Sequence, residues 1–389
     1  MPILFTQSPH PHVWHLTWEF PPVIDGGLGV AAEGIYQGLL ESSGCSLEVF
    51  HPSMMDEYND GYWAYFSQGF ELSNIDSLLD KIISGQFSRD DTLLGAVTRF
   101  CSWILGRAVA SPPEIVHAHD WHSILAAAAL KRRFGIPMVL QIHSSQSERV
   151  GSFSSEGIRA LEQWGMEQAD AVIAVSDVSV ESLRADYVVS SGKLHLVRNA
   201  IDPSPTHFPI ADELKTLLFV GRFCSQKSPE LAVEVFRKLV IRYPFLRLLM
   251  VGEGELLEPM KQLVGFYGLQ HNIELLGKIP PSEMALIYSR ADMLMLPSIA
   301  EPFGLVALEA AQAGLAVLLT ERCGAKECLP SACVVAHRDV DAWVQSTSRL
   351  IENKSTYQEL VMRLQKEAAS RTWQDAAEEI LAIYAKIKP

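Results

Sequence analysis

Short apolar runs alternate with longer amphipathic segments over most of the chain. Runs that are apolar throughout are typical of parallel strands buried on both faces, and the longer segments repeat apolar residues at helical spacing. In the first half, the pattern predicts strands at residues 13–17, 114–117, 138–142, 171–175 and 194–197, and helices at residues 30–41, 124–133 and 157–168. This alternation indicates an α/β domain built around a parallel sheet.

The alternation stops at residues 199–213, a stretch with three prolines and no periodicity that we interpret as a linker. After it, strands are predicted at residues 216–220, 246–251, 273–276, 293–296 and 316–320, and helices at residues 229–242, 255–267, 281–289, 305–313 and 373–387. We therefore predict two doubly wound, Rossmann-like α/β domains, residues 1–205 and 206–370, followed by a C-terminal helix within residues 371–389.

The composition narrows the classes of partner. The chain has 389 residues, 48% of them hydrophobic, which is enough for two sizeable cores. Its formal net charge of −14 gives a surface that repels nucleic acid and anionic membranes, although a local basic pocket can still bind a phosphate. No export signal is recognisable, and Arg99 and Arg107 interrupt the apolar stretch at residues 93–110. We therefore expect a cytoplasmic protein with no transmembrane segment. Residues 1–12 precede the first strand and have no assigned role.

Six cysteines are ordinary usage for this length and suggest free thiols. Cys323, Cys328, Cys333 and His337 could be written as a metal pattern, but the paired C-x-x-C spacing of zinc sites is missing. We expect buried or half-buried thiols there, and no metal site.

The loops at the carboxyl ends of the strands are where ligands of such sheets bind. The first of these loops contains Gly26, Gly27 and Gly29, between a strand and a helix. Glycines there let backbone N–H groups approach a phosphate at the helix N-terminus, but they are also typical of a tight turn. The spacing differs from the G-x-G-x-x-G fingerprint, so binding of a nicotinamide dinucleotide gains little support.

Two more loops, in HAHDWHS and QIHSSQ, place polar side chains at strand ends. His143 directly follows a strand and is expected to point into the crevice at the end of the sheet. His117 belongs to its strand, and we interpret it as structural. Asp120 and Trp121 open a helix, where an aspartate is a natural N-cap. They are also candidate residues for contact with an acceptor substrate.

The loop GRFCSQKS follows the first strand of the second domain. Its Arg222 and Lys227 can both face the crevice, and Pro229 suits the start of the next helix. Two fixed cations suit a diphosphate, whose negative charge grows as its bond to a sugar breaks. Either residue alone would be interpreted as part of a solvated basic loop, but the pair at a strand end favours a functional site.

The stretch SIAEPFGLVALEA places Glu301 in a loop after a strand and Glu309 on the following helix. That helix starts near Gly304, so the N–H groups at Phe303–Leu305 can face an anion. Glu309 could accept hydrogen bonds from a ribose, and Glu301 could hold sugar hydroxyls near the reacting carbon. The alternatives are a helix cap for Glu301 and an exposed acid for Glu309, although its apolar neighbours make a surface position awkward.

These motifs resemble those of the retaining GT-B glycosyltransferases of family 4, a group that includes glycogen synthases and sucrose synthases. The similarity runs over nearly the whole chain, and its most specific parts are GRFCSQK and EPFGLVALEA. It implies a GT-B fold, in which two Rossmann-like domains face each other across a crevice and the last helix crosses back to the first domain. It also implies transfer of a hexose from a nucleotide-diphosphate sugar to a carbohydrate or small-molecule acceptor, without a metal or other cofactor.

The resemblance assigns a role to each matching residue. Arg222 and Lys227 would bind the donor diphosphate and stabilise the leaving group. Glu301 and His143 would contact the donor sugar, and Glu309 would hold the nucleotide ribose. The predicted catalytic residues are thus His143, Arg222, Lys227 and Glu301, and the predicted donor-binding residues are Gly26, Gly27, Gly29, Phe303, Gly304, Leu305 and Glu309.

Two positions depart from the pattern of related enzymes. Bacterial-type glycogen synthases carry a lysine where this chain has Ile24, which leaves the donor open between UDP-glucose and ADP-glucose. Asp339 and Asp341 spell the D-x-D pair of metal-dependent transferases, but they open a late helix far from the predicted site, and we interpret the pair as a helix cap.

Three alternatives keep the same fold: a sugar-nucleotide epimerase, a pseudo-glycosyltransferase that couples through nitrogen, and a non-catalytic nucleotide-sugar-binding subunit. The intact set of polar site residues argues against the last. Residues 50–91 are hard to interpret, and their aromatic side chains could stack on an acceptor sugar or simply pack together; these are Tyr58, Tyr62, Trp63, Tyr65 and Phe66.

Overall fold

The structure is a computed structural model, and it describes residues 11–24, 26–42, 44–55, 74–86, 92–148, 155–203 and 208–388. Tertiary contacts divide the chain into two compact units. Unit 1 comprises Met1–Ala200 together with Trp373–Pro389, and unit 2 comprises Ile201–Thr372. The boundaries expected from the sequence are at 205/206 and 370/371. The aromatic residues proposed above for an acceptor, and most of residues 1–12, lie outside the described part of the chain.

Unit 1 is built on a parallel sheet of six strands in the order β2-β1-β3-β4-β5-β6. The strands are β1 (His12–Leu16), β2 (Ser46–Phe50), β3 (Ile115–His119), β4 (Met138–Ile142), β5 (Ala171–Ala174) and β6 (Leu194–Leu196). The helices are α1 (Gly27–Glu41), α2 (Ile75–Ile83), α3 (Leu93–Ala110), α4 (Ile124–Phe134), α5 (Glu156–Gln168) and α6 (Asp177–Asp186). Every residue of the central strands β3, β4 and β5 is buried, as expected for a sheet that is covered on both faces.

Helix α3 has 18 residues and a mean hydropathy of 1.3, so by length and composition it could cross a membrane. Most of it, 61%, is buried inside the protein, and Arg99 is itself buried. The sequence expectation missed this length because it treated the arginines as interruptions. The burial favours a core helix of unit 1.

Unit 2 is built on a second parallel sheet of six strands, in the order β12-β11-β10-β7-β8-β9. The strands are β7 (Thr216–Val220), β8 (Arg247–Val251), β9 (Ile273–Gly277), β10 (Met293–Leu296), β11 (Ala316–Thr320) and β12 (Cys333–Val335). The helices are α7 (Pro229–Arg242), α8 (Leu257–Phe266), α9 (Met284–Tyr288), α10 (Leu305–Gln312), α11 (Val340–Glu352) and α12 (Lys354–Ala368). Asp339 caps α11 by accepting a hydrogen bond from the N–H of Ala342 at 2.9 Å, which confirms the cap interpretation for this residue of the D-x-D pair; Asp341 lies in the first turn of the helix.

The last helix, α13 (Trp373–Ile387), belongs to unit 1 and packs against α1. Two glycines of α1 make this contact close. A Cβ atom on Gly38 would lie 2.3 Å from the backbone oxygen of Trp373, and one on Gly34 would lie 2.1 Å from the Trp373 ring. Only glycine at these two positions lets the helices approach to this distance.

Candidate active site

The N-terminus of α1 lies at the end of the first strand and contains the glycines predicted to approach a phosphate. A Cβ atom on Gly26 or Gly27 would meet no other atom within 4 Å, so the space beside them is open. The N–H of Gly26 donates to Glu19 Oε2 at 2.8 Å. Gly29 differs, because a Cβ there would lie 3.0 Å from the Ile24 side chain. The structure therefore offers ligand space at the first two glycines and gives the third a packing role.

Asp120 has a different function from the helix cap that the sequence suggested. Its carboxylate makes no capping hydrogen bond to the short 3-10 helix that it precedes. Instead Oδ1 accepts from the N–H of His143 at 2.6 Å and from that of Ser144 at 3.4 Å. Its backbone has a φ of 55°, which is uncommon for a residue with a side chain. Asp120 thus fixes the loop after β4 rather than the helix after β3.

Trp121, the other candidate on the acceptor side, is fully buried in the core of unit 1. Its ring packs against His122 with a centroid distance of 3.9 Å. The structure therefore corrects the expectation that Trp121 faces an acceptor, because no part of the side chain is exposed to a ligand. The apolar environment of the 3-10 helix, which the sequence did not reveal, draws the indole inward.

His143 is buried, with 9% of its surface exposed, and burial lowers the pKa of its imidazole to about 3. The ring is therefore neutral at pH 7. Its Nε2 lies 2.9 Å from His119 Nδ1, and its Nδ1 has no hydrogen-bond partner among the described residues. The sequence placed His143 correctly after β4, but it did not predict that the ring contacts another histidine.

Three buried histidines lie close enough together to be considered as metal ligands. One nitrogen of each of His15, His117 and His119 lies within 4.8 Å of the others. The rings of His117 and His119, however, are parallel to within 12° with centroids 4.5 Å apart. Lone pairs lie in the ring planes, so those of two stacked rings do not meet at one ion. The arrangement fits hydrogen bonding between the rings better than ligation of a metal.

The cysteine group that resembled a metal pattern consists of free thiols. Cys323 is buried, and Cys328 and Cys333 are half-buried. Cys323 Sγ donates to the backbone oxygen of Phe303 at 3.3 Å, so this thiol supports the loop before α10.

In unit 2, the loop after β7 and the loop after β10 are joined by side-chain contacts. Lys227 Nζ lies 2.5 Å from Glu301 Oε2, and the hydroxyl of Ser298 donates to the same oxygen at 3.0 Å. Gln226 makes two further bonds: its Nε2 donates to the Ala300 oxygen at 3.0 Å, and its own backbone oxygen accepts from Ile299 N–H at 2.8 Å. The structure thus brings together two of the predicted catalytic residues.

The loop containing Arg222 is shaped by the glycine-rich loop after β8. Gly252 has a φ of 137°, and a Cβ atom there would lie 1.9 Å from the Gly221 oxygen. The N–H of Phe223 donates to the Glu253 oxygen at 2.7 Å. Glycine is required at position 252 for both reasons. Arg222 is exposed on this loop, and its contact with a diphosphate stays a prediction.

The start of α10 presents backbone donors, as the sequence suggested. Gly304 precedes the helix with a φ of 94°, and no side chain caps this end. The first N–H groups of a helix lack partners within the helix and attract anions, which suits a phosphate at Leu305. Phe303 is buried, and its backbone oxygen accepts from the N–H of Ala325 at 2.6 Å. The predicted backbone contacts thus lie on a well-braced turn.

Glu309 is half-buried on α10 and is not the exposed acid of the alternative interpretation. The hydroxyl of Tyr288 donates to its Oε2 at 2.5 Å. Burial raises the pKa of the Glu309 carboxyl, and the hydrogen bond from Tyr288 lowers it. Sequence reasoning missed Tyr288 because it lies on α9, and nothing in the local pattern connects that helix with α10.

Comparisons with known proteins agree with this arrangement. Residues 26–205 match the family described as Glycosyltransferase Family 4, and residues 202–371 match the family described as Glycosyl transferases group 1. An uncharacterised glycosyltransferase of Methanocaldococcus jannaschii is 24% identical over 391 residues, which cover 95% of this chain and 96% of that protein. A glycogen synthase of Mycobacterium tuberculosis is 26% identical over 400 residues, which cover 96% of this chain and 94% of the synthase.

Among solved structures, sucrose-phosphate synthase from Thermosynechococcus elongatus superimposes with a TM-score of 0.76 at 20% sequence identity. The superposition covers 96% of this chain and 98% of the synthase, and it shows that the two proteins share the GT-B fold. The two family matches together extend from residue 26 to residue 371 and contain every predicted site residue. The chain is therefore a GT-B glycosyltransferase that belongs to the family 4 and group 1 glycosyltransferases, enzymes that transfer a sugar from a nucleotide sugar to an acceptor.

Proposed function

We propose that the protein is a retaining glucosyltransferase that uses UDP-glucose or ADP-glucose and a sugar or glucan acceptor, and that it works in the cytoplasm without a metal ion. The observation behind this proposal is the ion pair between Lys227 and Glu301 beside the open start of α10. It combines a cation for a phosphate, an acid for sugar hydroxyls and backbone donors for an anion within one unit.

In this proposal the donor diphosphate binds Arg222, Lys227 and the first N–H groups of α10. As the bond between the sugar and the phosphate breaks, negative charge grows on the phosphate oxygen, and fixed positive charge lowers the energy of that state. Two cationic side chains can supply this charge, which supports a reaction that does not depend on a metal. The rate of sugar transfer measured with EDTA and with added Mg²⁺ tests this independence from a metal directly. We expect that neither addition changes the rate.

The acceptor hydroxyl would attack the sugar from the side that the phosphate leaves, so that the anomeric configuration is retained. Its proton would pass to the departing phosphate oxygen, and the new glycosidic bond forms as the sugar–phosphate bond breaks. Glu301 would hold the sugar hydroxyls during this step, and Glu309 would hold the ribose. The resemblance to glycogen synthases, and the match to one of them at 26% identity, support glucose as the sugar and a glucan as an acceptor.

The first experiment measures thermal stabilisation by UDP-, ADP- and GDP-sugars and by the bare diphosphates. A ligand that binds only the native state raises the free energy of unfolding by RT ln(1 + [L]/Kd), which is about 2.7 kcal/mol at a hundredfold excess over Kd, and the melting temperature rises with it. One clear winner among the donors fixes the nucleotide. No shift from any donor at millimolar concentration would contradict the assignment of the phosphate-binding loops.

Product analysis then separates the proposal from its alternatives. With the preferred donor and an oligosaccharide acceptor, a transferase releases one diphosphate for each new glycosidic bond, and the bond has the donor's anomeric configuration. An isomerised sugar nucleotide formed without acceptor would indicate an epimerase. Binding without turnover against any acceptor would indicate a non-catalytic subunit.

A further inference from the structure

Four histidines and a tyrosine form a continuous buried chain of contacts inside unit 1. His143 Nε2 lies 2.9 Å from His119 Nδ1, and His119 Nε2 lies 3.0 Å from His15 Nδ1. The hydroxyl of Tyr384 then lies 3.2 Å from His15 Nε2 and 2.7 Å from His117 Nδ1. All five side chains are buried. This chain of contacts therefore connects α13, through β1 and β3, to the loop that carries His143.

Each of the four rings is neutral near pH 7. Burial lowers the pKa of His15 and of His143 to about 3, and it lowers the pKa of His117 and of His119 well below the usual value. A neutral imidazole has one N–H, and its other nitrogen is an acceptor. Every ring in the chain is thus either an Nδ1–H or an Nε2–H tautomer.

If each contact in this chain of contacts holds one hydrogen, only two arrangements of the hydrogens are possible. If the Tyr384 hydroxyl donates to His15, then His117 must donate to Tyr384 through Nδ1. His15 accepts at Nε2, so it carries its hydrogen on Nδ1 and donates it to His119 Nε2. The same argument applies to His119 and then to His143, so all four rings are protonated at Nδ1. If Tyr384 donates to His117 instead, all four rings are protonated at Nε2. In both states the four rings have the same tautomer.

We propose that His119, His15, His117 and Tyr384 are positioning residues that tie the tautomer of His143 to that of the other three rings, so that it cannot change alone. The nitrogen of His143 outside the chain of contacts is Nδ1, which is itself buried and has no hydrogen-bond partner among the described residues. The state of the chain of contacts decides whether Nδ1 carries a hydrogen, and so whether it would donate to or accept from a substrate atom that reaches it. This inference rests on the proposed function only where it assigns a substrate contact to His143.

The first test uses the unmodified protein and does not depend on turnover. In protein labelled with ¹⁵N at histidine, long-range ¹H–¹⁵N NMR spectra distinguish Nδ1–H, Nε2–H and doubly protonated rings. We expect the rings of His15, His117, His119 and His143 to be neutral and to share one tautomer. Mixed tautomers among the four would overturn the proposal, and so would resonances that change on treatment with EDTA or added Zn²⁺.

The second test interrupts the chain of contacts by removing the hydroxyl of Tyr384. Tyr384→Phe removes the group that links His15 to His117, so the tautomer of His143 is no longer tied to that of His117. We expect a mixed population at His143 and a fall in kcat by the fraction of molecules that changed tautomer. Tyr357→Phe is the matched control, because the Tyr357 hydroxyl is buried in unit 2 and donates to the Asp292 oxygen at 3.2 Å.

Two outcomes of the second test would count against the proposal. An unchanged His143 tautomer in folded Tyr384→Phe would overturn it, whatever happens to the rate. A changed tautomer with unchanged kcat would overturn the positioning role but leave the transfer reaction intact. If the wild-type enzyme itself shows no turnover, the proposed function fails, and the NMR result still decides the state of the chain.

Discussion

Lys227 and Glu301 form an ion pair, with Nζ 2.5 Å from Oε2, although 74 residues separate them in the chain. Their side chains are only 23% and 10% exposed, so water screens the pair less than it would on an open surface. A diphosphate that binds Lys227 would compete with Glu301 for the ammonium group. Donor binding would then release Glu301 oxygens to accept hydrogen bonds from sugar hydroxyls.

This arrangement predicts that Lys227→Ala reduces kcat/KM by at least about a hundredfold, since removal of one fixed group that stabilises developing charge typically has that effect. Glu301→Gln should lower kcat while the fold is kept, because an amide still accepts from Ser298 but has no negative charge. Steady-state kinetics with the preferred donor measures both variants, and circular dichroism checks the fold.

Lys238→Ala is the matched control for Lys227→Ala. Lys238 forms a salt bridge with Asp341 at 2.9 Å, in the same unit but on an exposed surface. Such pairs contribute about 0–1 kcal/mol to stability, and we expect wild-type kinetics from this variant. Equal rates for Lys227→Ala and Lys238→Ala would remove Lys227 from the catalytic set.

The contact between Tyr288 and Glu309 gives a second prediction. If Glu309 holds the ribose, Glu309→Gln loses hydrogen bonds to a charged acceptor, which are worth about 1.5–3 kcal/mol. We expect donor and bare diphosphate to bind at least about tenfold more weakly, with kcat changed much less. Isothermal titration calorimetry with the bare diphosphate measures the loss without turnover.

Tyr288→Phe probes the same site through its partner. Without the hydrogen bond from Tyr288, which lowers the pKa of Glu309, burial alone raises that pKa further. Nucleotide affinity should therefore fall more at pH 5.5 than at pH 8. Tyr243→Phe removes a comparable bond from a tyrosine hydroxyl to a carboxylate, that of Glu352, and should leave affinity unchanged at both pH values.

The sequence predicted most central elements because their signals are local. The strands at Met138–Ile142, Thr216–Val220 and Met293–Leu296 have the predicted bounds, since each is a short apolar run ended by polar or turn-forming residues. The pattern missed β2 and β12, whose alternating or partly exposed residues look like loops. It also missed α2, α3, α6 and α12. The compositions of α6 and α12 are more polar and hide a helical stripe, whereas α2 lies within the stretch that was hard to interpret and α3 was treated as an interrupted apolar stretch.

The candidate site shows the same division between local and distant signals. Motifs at strand ends located Glu301 and Lys227, but only the folded chain shows that the two side chains touch. His15 and Tyr384 could not be connected from sequence, because 369 residues separate them and their contact depends on how α13 packs on unit 1. The error at Trp121 has the opposite cause, because a polar neighbourhood in sequence concealed a buried position in space.

Helix α13 reaches His15 and His117 only if it packs tightly on α1, and this gives a third prediction. Gly38→Ala places a Cβ atom 2.3 Å from the Trp373 backbone oxygen, so the helices must separate. We expect a loss of about 1–3 kcal/mol in the free energy of unfolding, as for other overpacked cores. Gly106→Ala, at an exposed position of α3, is the control, because its Cβ meets nothing within 4 Å, and alanine stabilises a helix by up to about 1 kcal/mol. Chemical denaturation compares the two, and a stabilised Gly38→Ala would contradict the tight contact.

The buried histidines also predict how stability depends on pH. Their pKa values are lowered in the folded state, to about 3 for His15 and His143, whereas an unfolded histidine has a pKa of about 6.5. Below pH 6.5 the unfolded state therefore binds more protons, and the free energy of unfolding falls as the pH drops towards 3. The stabilising contribution is complete above pH 6.5. Tyr384 does not titrate in this range, because burial raises its pKa well above the usual value.

Each buried histidine adds a slope of up to about 1.4 kcal/mol per pH unit between pH 3 and 6.5. Replacing His15 with glutamine removes one such group, so His15→Gln should have a shallower slope than the wild type when urea unfolding is measured from pH 5 to pH 7.5. The control is His271, whose side chain is exposed to water in the folded protein, and His271→Gln should keep the wild-type slope. An identical slope in His15→Gln would mean that His15 is not held neutral in the folded protein. The argument that the four rings share one tautomer would then no longer hold, because it requires a neutral His15.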